Sequence, residues 1–74
     1  MSTVRNRFGK QLRKIRRNRD ITQEKLAEAI GVTAEFISNM ERGKYAPSFD
    51  TLEKLIAVLE VDISEFFPPP EEKS

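Results

Sequence analysis

The segment TQEKLAEAIGVTAEFISNMERG, residues 22–43, holds two helix starts and two helix stops. Thr22 suits an N-cap because its hydroxyl can accept from an amide of the first turn, and Glu24 falls where the positive helix end favours an acid. Ile21 and Leu26 flank that cap in the spacing of a hydrophobic staple, so a helix is expected from Gln23 to about Ile30. Gly31 stops it, since glycine enters the left-handed region without a Cβ clash. Thr33 then repeats the N-cap with Val32 and Ile37 as its staple, predicting a second helix from about Ala34 to Arg42 that ends at Gly43.

Toward the N-terminus, Val4, Phe8, Leu12 and Ile15 recur at helical spacing and predict a helix over Thr3 to Asn18 with one apolar stripe. Toward the C-terminus, Lys44 to Pro47 reads as a loop, and Ser48 caps a helix whose Leu52, Leu55, Ile56 and Leu59 face inward until about Glu60. Asp62 and Glu65 have capping-box spacing, with Val61 and Phe66 as a staple, so a short fifth helix is expected before Pro68, Pro69 and Pro70. The fold class is therefore all-α, a compact five-helix bundle. Residues 1–67 are expected to form one domain, and 68–74 a Pro-rich acidic tail without fixed structure.

Composition narrows the function. The 74 residues contain no cysteine and no histidine, which removes disulfides, thiolate metal sites and the commonest general base. No metal, cofactor or catalytic residue is expected. The apolar runs are too short for a membrane span or a signal peptide, so a cytoplasmic protein with no membrane partner is expected. Charge is unevenly placed: eight basic residues and no acid precede Asp20, whereas the remainder has five basic residues against twelve acidic ones. A basic end attracts a polyanion, although charge alone is equally compatible with a solvated helix face.

Two short amphipathic helices joined through a glycine and preceded by a basic helix have the arrangement of a helix-turn-helix. At this level of detail the chain resembles the phage repressor and Cro type of regulator, the XRE family. The likeness rests on Leu12 and Arg16, Thr22-Gln23, Leu26-Ala27, Gly31-Val32-Thr33, Ile37 and Met40-Glu41-Arg42-Gly43-Lys44, and continues through Pro47-Ser48, Leu52, Leu55 and Leu59. It implies a five-helix domain of the lambda-repressor-like type, with the third helix in the major groove of double-stranded DNA and the second across the backbone.

The residues agree with that implication. Ile37 and Met40 share one face of the third helix, leaving Ala34, Glu35, Ser38 and Asn39 as candidate base readers. Asn39 can pair twice with adenine, Glu35 can accept from a cytosine amino group, and Ala34 can touch a thymine methyl. Family members often carry Gln or Arg where this chain has Ala34 and Glu35. For Phe36, packing on the second helix is favoured over contact with a sugar or thymine methyl.

The resemblance further implies that Gln23 binds a phosphate at the start of the second helix. It also implies that Arg16 and Glu41 pair across the first and third helices, presenting Arg16 to the DNA backbone. Thr33, Arg42, Lys44, Lys10, Arg13 and Arg17 are further candidates for backbone contacts. Ile63, Phe66 and Phe67 supply more apolar surface than a short terminal helix buries, which points to a homodimer interface. Two recognition helices about 34 Å apart then read a pseudo-palindrome. A repressor is the leading expectation. An antitoxin bound to a protein toxin and the controller of a restriction-modification system are the alternatives, while an enzyme or a single-strand RNA reader lacks its usual residues.

Overall fold

The computed structural model describes residues 3–69. Four α-helices follow one another: α1 Val4–Asn18, α2 Gln23–Ile30, α3 Ala34–Glu41 and α4 Phe49–Leu59. The expected fifth helix is a single 3-10 turn, Ile63–Phe66. Its capping box is present, with Asp62 accepting from the Ser64 amide and Glu65 accepting from the Asp62 amide at 3.1 Å. Four residues between that cap and the Phe67–Pro69 segment leave no length for an α-helix to propagate. The expected tail lies, from residue 70 onward, outside the described residues.

The caps fall where the sequence places them. The hydroxyls of Thr22, Thr33 and Ser48 accept from the amides of Lys25, Phe36 and Thr51 at 3.0–3.1 Å. Thr3 does the same for Asn6 at 3.1 Å, so it stands outside α1. Gly31 has φ 79°, the left-handed turn that stops α2.

The core comprises Phe8, Leu12 and Ile15 of α1, Leu26, Ala27 and Ile30 of α2, Ile37 and Met40 of α3, and Leu52, Leu55 and Leu59 of α4, with Val61 and Phe66. α3 packs against both α1 and α2, α2 also meets α4, and the 3-10 turn lies on α1. Val4, read from the sequence as part of the α1 stripe, is 64% exposed, at the edge of an open groove that it shares with Phe49 and Phe67. Phe66, expected at an interface, is fully buried, its ring 5.1 Å from that of Phe8. That assignment is corrected: Phe66 is a core residue, covered by α1.

Candidate nucleic-acid interface

α3 is a short helix with two characters. Ile37, Met40 and Glu41 are buried beneath it, while Glu35 is exposed and Ala34, Ser38 and Asn39 are half-buried on its remaining surface. Glu35, Ser38 and Asn39 are thus brought to the outer side of one helix, while Ala34 also packs partly against the core. Three residues, Gly31 to Thr33, separate α2 from this helix, and the Gly31 and Val32 amides both donate to Ala27 O, at 2.8 and 3.0 Å, which fixes the turn.

Two features hold α3 from behind. Gly9 lies mid-helix in α1, and a Cβ there would stand 2.6 Å from Glu41 O and closer still to Met40 O, so α1 and the end of α3 approach more closely than any other residue permits. Beside it, Arg16 Nε and Nη2 grip the two Glu41 carboxylate oxygens at 2.6 and 3.1 Å. Arg16 Nη1 donates to Ile21 O at 2.7 Å, and Gln23 Nε2 donates to Glu41 Oε1 at 3.0 Å. The Arg16 and Glu41 side chains are 9% and 3% exposed. One carboxylate therefore joins α1, the start of α2 and the end of α3 through charge-assisted bonds.

This network changes the standing of two sequence-predicted backbone contacts. Arg16 is buried with three of its donors engaged, so its geometry is that of a tie between helices. Gln23 is half-buried with its amide turned to Glu41. Gly9, which the sequence reading passed over, is the residue that permits the approach; a lone glycine inside a helical pattern was the signal available.

The exposed basic candidates for backbone contacts fall in two places. Arg42 and Lys44 follow α3 directly. Lys10, Arg13 and Arg17 gather with Lys14 and Asn18 around a shallow depression on the outer face of α1. Thr33 caps α3 from the surface. Phe36 is half-buried against the core, and its ring stacks on Tyr45 at 5.9 Å and 24°. Ile63 and Phe67 are 46% and 41% exposed, and Phe67 shares an apolar groove with Val4, Phe8, Ala46, Pro47, Phe49 and Leu52. No helix among the described residues is long and apolar enough to cross a membrane.

A short polar-faced helix locked rigidly to its partner is the defining unit of helix-turn-helix DNA-binding regulators. The family described as helix-turn-helix matches residues 12–66, and the chain belongs to that family of transcriptional regulators. It is 41% identical over 63 residues to the HTH-type transcriptional regulator PuuR of Escherichia coli K12, covering 85% of this chain but 34% of that one. The chain thus spans about a third of the length of that relative. It is 37% identical to the control protein C.MunI of Mycoplasma, covering 90% of this chain and 92% of that protein. Among solved structures, the restriction-modification controller C.AhdI of Aeromonas hydrophila superposes with a TM-score of 0.79 at 31% identity, covering 84% of this chain and 94% of that one.

Proposed function

We propose that this chain is a repressor that binds a pseudo-palindromic operator in double-stranded DNA as a homodimer, with α3 of each copy in the major groove. The observation that carries the reading is the rear lock on α3: Gly9 and the Arg16–Glu41–Gln23 network fix the helix that presents Asn39, Glu35, Ser38 and Ala34. A side chain reads a base edge only if its helix is held in one register. Asn39 is assigned to adenine and Glu35 to a cytosine amino group. Arg42, Lys44, Lys10, Arg13, Arg17 and Thr33 meet phosphates, whereas Arg16 acts as a positioning residue and Gln23 shares its amide between Glu41 and the backbone.

Ile63 and Phe67, with Val4 and Phe49 around the adjoining groove, form the apolar surface that a second copy covers. Phe49 is 85% exposed at the start of α4, an unusual place for an unpartnered ring. A controller of a restriction-modification system is the second reading, supported by the near-complete coverage of C.MunI and C.AhdI. The relatives described above lend no support to a protein toxin partner.

Hydroxyl-radical footprinting on an operator obtained by selection tests the proposal. Two protected patches one helical turn apart on one face of the duplex are expected, with Asn39→Ala losing about tenfold or more in discrimination at one position per half-site. A single patch, or unchanged discrimination, contradicts it.

A further inference from the structure

We infer that Tyr45 is a DNA-backbone contact, with Phe36 as the platform that aims it. The inference rests on the reading of α3 as the recognition helix. The loop after α3 has little regular structure, yet it is tied down at successive residues. The Gly43 amide donates to Met40 O at 3.1 Å and the Lys44 amide to Asn39 O at 2.9 Å. Gly43 has φ 81°, and a Cβ there would overlap the Asn6 carboxamide, so the loop lies directly on α1. At the next residue but one, the Tyr45 ring lies against Phe36, centroids 5.9 Å apart and planes at 24°.

One side of Tyr45 is thereby fixed, while the residue remains 49% exposed. Its hydroxyl enters no hydrogen bond among the described residues. A half-exposed ring stacked on Phe36, with its hydroxyl outside those hydrogen bonds and exposed Arg42 and Lys44 on the same short loop, matches the chemistry of a phosphodiester: a neutral donor beside two cations. Phe36 is itself anchored in the core, so the platform is rigid on the side facing away from solvent. Phe36 lies on α3 between Glu35 and Ile37, so the stack couples the position of the phosphate donor to that of the base readers. Arg42 and Lys44 set charge near the backbone, and Tyr45 sets register.

Tyr45 is the only tyrosine and the chain has no tryptophan, so a labelled tyrosine reports this position alone. The wild-type protein carrying 3-fluorotyrosine is titrated with its selected duplex, and its single fluorine resonance is followed by NMR. A shift with the specific duplex that is absent with a scrambled duplex at the same salt is expected. In parallel, Tyr45→Phe, which keeps the stack and removes the hydroxyl, is expected to lose about tenfold in affinity with an unchanged salt slope, because a neutral donor displaces no counterion. Tyr45→Ala is expected to lose more, since the loop also comes free. An unmoved resonance on a duplex that the protein demonstrably selects, or wild-type affinity in Tyr45→Phe, overturns the inference and leaves the reading of α3 intact. Failure of the wild-type protein to select any duplex overturns both.

Discussion

Replacing Gly9 with alanine separates two opposing effects. On an exposed helix the change stabilises by about 1 kcal/mol, because alanine loses less backbone freedom on folding. Here the new Cβ would lie 2.6 Å from Glu41 O and 2.9 Å from Glu41 C, against an ordinary contact of 3.4 Å or more. Met40 O lies closer still, so relief requires α1 and α3 to separate by about 1 Å, and overpacking of this kind costs about 1–3 kcal/mol. No rotamer offers an escape, since the obstructing atoms are backbone and the added group is a bare methyl, so the upper part of that range applies. The net expectation is a loss of about 2 kcal/mol, or a thermal midpoint lower by about 8–16 °C for a domain of this size. Urea denaturation followed by circular dichroism measures it. Gly31→Ala is the control: nothing lies within 4 Å, yet φ is 79°, so it should lose about 1 kcal/mol through backbone strain alone. A Gly9→Ala protein as stable as wild type, or more so, refutes the close-approach account and with it the rear lock on α3.

Glu41→Leu leaves Arg16 buried without its partner and is expected to cost about 3–5 kcal/mol, whereas the paired change Arg16→Met with Glu41→Leu should cost much less; a double-mutant cycle in urea checks this. Phe66→Ala should lose about 3–5 kcal/mol as a core truncation, while Phe67→Ser should lower the association constant in sedimentation experiments with a smaller effect on folding. The Ser64 hydroxyl and amide bonded to Asp62 hold its carboxyl below the usual aspartate value. The stabilisation from Asp62 is therefore complete above the unfolded-state value and lost as pH falls through the lower folded value, so Asp62→Asn should flatten that acid limb of a stability–pH curve.

Much of this fold is legible because local rules and tertiary structure agree. Each hydroxyl cap is a short-range feature, and Thr22, Thr33 and Ser48 all cap the helices that their sequence contexts indicate. The stripe on α4 is likewise read directly from spacing, with Leu52, Leu55 and Leu59 buried. What sequence leaves open depends on contacts between distant residues. Val4 continues the α1 period, but whether a periodic residue is covered depends on what lies opposite. Phe66 and Phe67 are adjacent and chemically alike, yet one fills the core and the other stays at the surface, a distinction set by a single turn of 3-10 geometry. Tyr45 belongs to a loop without periodicity, so its stack on Phe36 has no signature in the chain. Gly9 carries a signal of another kind, a residue unsuited to a helix that is tolerated because the end of α3 needs the space.

The central claim, that α3 reads sequence in duplex DNA as part of a two-fold dimer, is tested most directly by selecting bound duplexes from a random library with the purified protein at two salt concentrations. The account predicts one enriched inverted repeat, its half-sites about one helical turn apart, retained at the higher salt. Binding without enrichment that disappears at the higher salt contradicts it, because the basic residues before Asp20 would then account for all of the affinity.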